Sequence, residues 1–222
     1  MRLLLHFPLQ PSSRKVRLVL GEKKLNFEPR IEQSWERPQE LIKLNPSGET
    51  PVLVDENNFV ITGDPGIVEY LEEVYPGPTL GGQELADRIE IRRLSAWFDQ
   101  KFSNECVWPL LHEKLFRRLT GMGNPDSTLI RQALSRIAAH MEYIGWLAEN
   151  RNWLAGEIFS LADLSAASSL SCLDYLGDLP WEKFPSAKQW YARIKSRPSF
   201  RPLLTDKIMG FMPAAHYGNL DF

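Results

Sequence analysis

The sequence predicts a two-domain protein in which a small α/β domain of βαβ-ββα order precedes an all-α domain. Up to about residue 78, apolar runs of strand length alternate with helix-length amphipathic segments, and turn residues separate them. From Leu85 onward the segments have helical spacing, and none has the pattern of a strand. The stretch YPGPTLGGQE (75–84) is rich in proline and glycine, as is typical of a linker. We therefore predict an N-terminal domain at 1–78, a linker at 79–86, a helical domain at 87–205 and a C-terminal tail at 206–222.

The first half of the N-terminal domain follows a strand, helix, strand order. LLLHF (3–7) is a short apolar run typical of a buried strand, and the PLQPSS that follows breaks it. A helix is predicted from Ser13, because apolar residues follow near helical spacing, and Gly21 is available as its C-cap. NFEPRIE (26–32) then indicates a second strand.

The second half of this domain predicts a hairpin and a helix. QSWERPQELIKL (33–44) has room for a helical turn or two, and PVLVDENNFVI (51–61) has two apolar runs about a polar turn. The next helix is predicted to begin with Asp64 as N-cap and Pro65 at the first helical position, and to stop at Pro76.

The helical domain contains one recognisable helix-start motif. SLAD (160–163) has the S-x-x-D form related to a capping box, in which the serine caps an amide of the first turn and the acid reaches back to the cap amide. We interpret Ser160 and Asp163 as a structural device.

Composition excludes several classes of function. The 222 residues carry a net charge of −2, which gives no general attraction to nucleic acid or anionic membranes. No apolar run approaches the roughly 20 residues of a membrane span, and no signal peptide is recognisable, so we expect a cytoplasmic protein.

Cys106 and Cys172 are expected to be reduced thiols in or near the core. The four histidines lack metal-ligand spacing, and we expect no metal and no other cofactor.

Three stretches resemble the glutathione transferase (GST) superfamily from residue 1 to about 205. They are SRKVRLVLGEKKLNFE, LNPSGETPVLVDENNFVITGDPGIVEYLEEVYP and WLAGEIFSLADLSAASSL. The resemblance implies the GST fold, with a thioredoxin-like N-terminal domain and an all-helical C-terminal domain. It also implies that Pro51 is a cis-proline before the strand that faces the ligand. Fold does not determine function, so each matched site position is compared separately.

The position of the activating hydroxyl differs from that of an active transferase. In the serine-type members the first helix follows an S-P-F-S-x-R-V-R-like run, whose first serine stabilises the glutathione thiolate. Alignment of QPSSRKVR with this run places Gln10 at that serine. Ser12 and Ser13 lie near enough to substitute after a small loop shift, or else they cap the first helix.

The position that receives the γ-glutamyl carboxylate also differs. Active members carry Glu-Ser where this chain has Gly63 and Asp64, so Asp64 adds a second carboxylate. Two unit charges about 4 Å apart at an effective dielectric of about 20 repel by about 4 kcal/mol, unless a proton or a nearby lysine compensates. We therefore expect weak or absent glutathione binding.

Four residues outside the glutathione site are candidates for contact with a protein partner. Trp35 stands among charged and polar residues, where it either packs a loop down or is an interface anchor. Glu113 and Arg118 are predicted on a helix face that is either simply solvated or part of an interface. The tail GFMPAAHYGNLDF (210–222) is too apolar for an idle disordered end, and it either packs on its own protein or docks a partner through Asp221.

Within the superfamily the chain resembles the FtsZ-binding, GST-like cell-division proteins of alphaproteobacteria, through PSSRKVRLVLGEK, TGDPG and HYGNLDF. This resemblance implies a cytoplasmic homodimer that binds FtsZ and shapes its filaments at the division site without a catalytic step. The alternative is a glutathione transferase that conjugates glutathione to small electrophiles, with Ser12 or Ser13 as activator.

Overall fold

A computed structural model describes residues 1–75 and 77–220, and its N-terminal part is a four-stranded mixed sheet with three helices. The elements are β1 (Arg2–His6), α1 (Pro11–Glu22), β2 (Phe27–Ile31), α2 (Gln39–Leu44), β3 (Val52–Val54), β4 (Val60–Thr62) and α3 (Asp64–Val74), with a 3₁₀ turn at Ser34–Glu36. The sheet order is β2-β1-β3-β4. Strand β1 is parallel to β2 and antiparallel to β3, and β3 and β4 form the predicted hairpin. The thioredoxin-like arrangement is confirmed.

The C-terminal part is helical, as predicted. Helical backbone runs continuously from 85 to 119 through α4 (Leu85–Ala96), π-helical Trp97–Val107, α5 (Trp108–Leu111), π-helical His112–Phe116 and α6 (Arg117–Leu119). It is followed by α7 (Ser127–Asn150), α8 (Leu161–Leu176), a 3₁₀ turn at Trp181–Lys183, α9 (Pro185–Lys195) and α10 (Arg201–Leu204). None of the helices in the described part of the chain has the length and apolar character to cross a membrane.

One hydrophobic core extends across both domains, because α1 packs directly against α8. Side chains alternate between the two faces of a strand. Accordingly, Leu4 and Leu53 join the main core, whereas Leu5 and Val52 pack with Leu41 on the other face of the sheet. The shared core fixes the position of α1 relative to the helical domain, and with it the groups that line the cleft between the domains.

Three predictions about helix ends are wrong. Gly21 is not a C-cap but lies inside α1, where a Cβ would stand 2.9 Å from the Cβ of Ser199. Its lack of a side chain therefore permits close packing. Asp64 is the first residue of α3, and the N-cap is Gly63, whose φ of +75° favours glycine. Helix α1 begins at Pro11 after Gln10, so the serines that follow do not cap it.

The other local predictions are confirmed where the structure describes them. Ser160 and Asp163 form the capping box at the start of α8, with 3.0 Å between the Ser160 amide and Asp163 Oδ2. Cys106 and Cys172 are buried and unpaired. The predicted stop at Pro76 falls outside the described residues, and α3 ends at Val74.

Candidate functional site

Gln10 lies at the cleft between the domains, and its side chain is bonded to the segment before Pro51. Its Nε2 donates to the Thr50 carbonyl at 3.0 Å, and its Oε1 accepts from Thr50 Oγ1 at 2.6 Å. The same Oε1 also accepts from Ser13 Oγ at 2.8 Å. The Thr50–Pro51 peptide is cis, as the family resemblance implied. Gln10 therefore fastens the start of α1 to the segment that enters β3.

The two serines that could replace the activating hydroxyl differ in environment. Ser13 is fully buried, accepts from the Phe7 amide at 3.3 Å and directs its proton to Gln10. It therefore has no proton to offer a sulfur atom in the cleft. Ser12 is half-buried, and its hydroxyl makes no hydrogen bond to any residue that the structure describes.

Asp64 is part of an ion cluster that joins three elements. Its Oδ2 lies 3.2 Å from Nζ of Lys15, which also contacts Oδ2 of Asp99 at 2.5 Å. Ser165 Oγ donates to the same Asp99 oxygen at 3.3 Å. The cluster links α1, the start of α3 and the helical domain, and its one lysine and two aspartates sum to a charge of −1 when all are ionised.

Burial and charge act against each other in this cluster. Burial alone lowers the pKa of Lys15, but Asp99 and Asp64 outweigh it, so the pKa of Lys15 is raised and its ammonium is retained. Burial raises the pKa of Asp99, although Lys15 opposes this shift. The nearby lysine that could offset the charge of Asp64 is thus present, but Asp99 shares it.

An aromatic pocket of about 310 Å³ opens beside Gln10. The ring of Trp35 meets Phe7 at 5.0 Å and Phe116 at 5.7 Å between centroids, so this half-buried tryptophan packs the loop against the helical domain and also forms a wall of the pocket. The complete lining is Phe7, Gln10, Ser34, Trp35, Arg37, Glu49, Trp108, His112, Phe116, Thr120 and Met122. Concave, mostly apolar pockets with a few polar groups are the usual form of binding sites.

The candidate partner residues have different surroundings. Arg118 is exposed, with its guanidinium 5.0 Å from the Phe211 ring centroid. The prediction that Glu113 is exposed is wrong, because it is 2% exposed and accepts the Asp126 amide at 2.6 Å just before α7. That backbone hydrogen bond lowers the pKa of Glu113. Asp221 lies outside the described residues.

The described part of the tail packs on its own protein. Tyr217 is buried, accepts from Arg14 Nη1 at 2.9 Å and donates to the Leu203 carbonyl at 3.1 Å. Nε2 of His216 lies 2.8 Å from Asp174 Oδ1 on α8. Because Arg14 belongs to α1, the tail contacts both domains. The interpretation that it folds back is confirmed up to residue 220.

The buried thiols do not suit chemistry in this cleft. Burial raises the pKa of Cys106 to about 12 and that of Cys172 to about 11, so neither is a thiolate at neutral pH. Within residues 1–75 and 77–220, no three His, Cys, Asp or Glu side chains are grouped as metal ligands.

The family comparison agrees with this architecture. Residues 11–74 match the family model of the glutathione S-transferase N-terminal domain, and residues 107–198 match that of the C-terminal domain. The chain belongs to the glutathione S-transferase family. FtsZ-localized protein A of Caulobacter vibrioides is 50% identical, and the match covers 100% of this chain and 98% of that protein.

Two solved structures extend the similarity over the whole chain. A structure of FzlA from C. crescentus has a TM-score of 0.97 and 50% identity, with 100% of this chain and 99% of that one covered. A structure described as a glutathione S-transferase from Rhodospirillum rubrum F11 has a TM-score of 0.98 and 51% identity, with full coverage of both chains. Chains about 50% identical to this one therefore include one named as an FtsZ-localized protein and one described as a glutathione S-transferase.

Two members of the cleft were missed by sequence reasoning. Lys15 is one of three basic residues near the start of α1, and Asp99 is separated from it by 84 positions. The sequence gives only weak signals that these two residues are buried polar groups. Lys15 comes just before the apolar residues of α1, and Asp99 follows Phe98 within an aromatic stretch.

Proposed function

We propose that the chain is a non-catalytic, GST-like protein that binds FtsZ and regulates filament curvature, bundling and constriction in bacterial cell division. The observation that carries the proposal is the arrangement at Gln10. Both polar atoms of its amide are bonded to Thr50, and it stands where a serine-type transferase would present its activating hydroxyl. The full-length similarity to FtsZ-localized protein A supports the choice of partner. On this proposal the protein is cytoplasmic and acts at the division site.

The ion cluster further supports loss of catalysis. A γ-glutamyl carboxylate at the start of α3 would meet Asp64, whose lysine partner is already shared with Asp99. The net charge of −1 opposes the binding of an anion. Weak or absent glutathione binding follows as part of the proposal.

The aromatic pocket supplies a surface for the partner. Trp108 is 49% exposed at the pocket, and Arg37 is exposed at its rim and makes no ion pair within the described residues. Tryptophan and arginine are enriched among the residues that dominate binding energy in interfaces. We assign FtsZ contact to this pocket through Trp35 and to the neighbouring surface through Arg118, with Asp221 a further candidate.

Apolar side chains on a different surface support a homodimer. Phe59, Val74, Leu85 and Ile89 are all exposed, at the β3–β4 turn, the end of α3 and the first half of α4. We infer that they form one apolar patch, the kind of exposed surface that marks a protein interface. A two-fold dimer would carry two equivalent FtsZ sites and could bridge neighbouring filaments.

Co-sedimentation with FtsZ polymers tests the proposal. The wild-type protein is expected to pellet with polymerised FtsZ, and Arg118→Glu is expected to weaken pelleting at least fivefold. Arg131→Glu reverses a charge on the exposed face of α7 and is the matched control. If wild-type protein stays in the supernatant, FtsZ binding is excluded. If Arg118→Glu pellets as well as the control, the function stands but this residue is not part of the interface.

A second candidate function rests on Ser12. Its half-buried hydroxyl, two residues after Gln10 in the chain, is not used by any described residue, so it could serve a transferase that conjugates glutathione to small electrophiles. Titration calorimetry with millimolar glutathione separates the two functions. Saturable binding, together with conjugation of a small electrophile that is lost in Ser12→Ala but kept in Ser13→Ala, would support the enzyme.

A further inference from the structure

A groove on the helical domain is used by none of the functions above. It has a volume of about 220 Å³ and lies between the second half of α7 and the segment that leads into α9. Gly145 forms part of its floor, and the start of α9 comes within 4.0 Å of the place where a Cβ would stand. These elements do not line the aromatic pocket, so the groove can bind independently of that pocket.

An exposed tryptophan forms one side of this groove. Trp146 is 54% exposed, yet its ring is held parallel to Tyr143, with 6.4 Å between centroids and 10° between planes. Tyr143 is fixed in turn by Trp97 at 4.8 Å and by Arg93, which donates to its hydroxyl at 2.9 Å. A large aromatic surface held in one orientation can bind a ligand at low cost in conformational entropy.

Two carboxylates lie on the same helix face as this tryptophan. Glu142 precedes Trp146 by four residues and Glu149 follows it by three, and all three line the groove. Glu142 is exposed and makes no hydrogen bond or ion pair within the described residues. Glu149 Oε1 accepts from Ser186 Oγ at 2.6 Å, which leaves Oε2 available. Lys183 also lines the groove, so its charged side chains sum to −1.

We propose that this groove docks a cationic peptide segment, with an arginine stacked on Trp146 between Glu142 and Glu149 and an adjacent apolar residue in the groove. A cation over an aromatic face and a guanidinium facing carboxylates are both favourable. Arginine fits better than lysine, because its planar group stacks on the ring and pairs with a carboxylate through two N–H groups. The site would give the protein a second partner, and it does not depend on the proposed binding of FtsZ.

The test uses the full chain and two synthetic pentapeptides. Ac-Gly-Arg-Leu-Arg-Gly-NH₂ is titrated into ¹⁵N-labelled protein, and the acidic peptide Ac-Gly-Glu-Leu-Glu-Gly-NH₂ serves as the charge-reversed probe. We expect the basic peptide to shift the indole N–H signal of Trp146 saturably, without a shift at Trp108, and to bind more weakly as salt is raised. Glu142→Gln with Glu149→Gln should weaken binding at least fivefold, and Lys183→Gln should strengthen it about twofold. Glu73→Gln removes an exposed carboxylate from α3 and should change nothing.

Any one of four results would overturn the proposal. The first is the absence of a saturable Trp146 shift up to 2 mM basic peptide. The second is equal binding of the two peptides, and the third is undiminished binding by the Glu142 and Glu149 double variant. The fourth is self-association of the wild-type chain that Trp146→Ala abolishes, because a second copy of the chain would then occupy the groove.

Discussion

At the scale of single residues, two polar side chains singled out by the family comparison, Gln10 and Asp64, are bonded to other residues of the chain. Gln10 bonds to Thr50, and Asp64 contacts a lysine that a second aspartate shares. The sequence identified Gln10 and Asp64, because both occupy positions matched to a known family motif. It could not identify the Lys15–Asp99 pair, because these residues meet only after the two domains pack together.

Removal of the Asp64 charge tests whether repulsion excludes glutathione. We expect Asp64→Ser to tighten glutathione binding between tenfold and a hundredfold, about 1.4 to 2.7 kcal/mol, because Lys15 already offsets part of the roughly 4 kcal/mol repulsion. Gly63 should be left unchanged, since its φ of +75° would strain a glutamate. Calorimetry gives the affinity, and Asp87→Ser is the control for loss of an exposed aspartate at the start of a helix. Unchanged affinity would mean that Gln10 or the tail closes the site.

His6 is expected to make stability depend on pH. Its pKa is lowered from 6.5 to about 4, first by burial and then by Arg17. Between these values the unfolded chain binds the proton and the folded chain does not, so stability rises with pH across this window. Acidification from pH 7 to pH 4 should therefore cost up to about 3 kcal/mol from this residue. Urea unfolding at several pH values should give a shallower slope for His6→Phe than for wild type, and parallel slopes would contradict this account.

At the scale of elements, strands and helices were easier to predict than their ends. The β3–β4 hairpin followed from two apolar runs about a polar turn, and every predicted strand is present. Helix ends depend on backbone conformation that composition does not determine, so the N-cap of α3 moved from Asp64 to Gly63. Glu113 is a second example. Helical spacing could not indicate that its side chain accepts a hydrogen bond from the Asp126 amide, just before α7.

The capping box of α8 is expected to stabilise more than a surface cap does. Asp163 is fully buried and accepts from the amides of Leu154 and Ser160 and from Trp190 Nε1, at 2.9 to 3.0 Å. Asp163→Ala leaves three buried donors without an acceptor and should lower the free energy of unfolding by about 3 kcal/mol or more. Ser160→Ala, which retains the acceptor, should cost about 1 kcal/mol. Urea denaturation measures both, and a loss below about 1 kcal/mol for Asp163→Ala would show that water replaces the carboxylate.

At the scale of the whole molecule, polar contacts join the two domains in addition to the shared core. The Lys15 cluster joins α1 and α3 to the helical domain, and Arg14 joins α1 to the tail. Rigid surfaces lose less entropy on binding a large partner than mobile ones do. These contacts support the proposed role, in which a dimer of the chain holds its partners in fixed geometry.

Dimerisation can be separated from FtsZ binding by a charge in the inferred apolar patch of Phe59, Val74, Leu85 and Ile89. Ile89 is 58% exposed on α4, so Ile89→Glu should leave folding intact but place a carboxylate against the apolar surface of a second copy. We expect a dimer for wild type and a monomer for the variant in sedimentation velocity at micromolar concentration. Ile158→Glu, at a 65% exposed isoleucine in the loop before α8, should remain dimeric.

The monomeric Ile89→Glu variant should still pellet with FtsZ but at least tenfold more weakly. It should not bundle filaments, because a single site cannot bridge two of them. Bundling by a monomer would refute the bridging mechanism while leaving FtsZ binding in place.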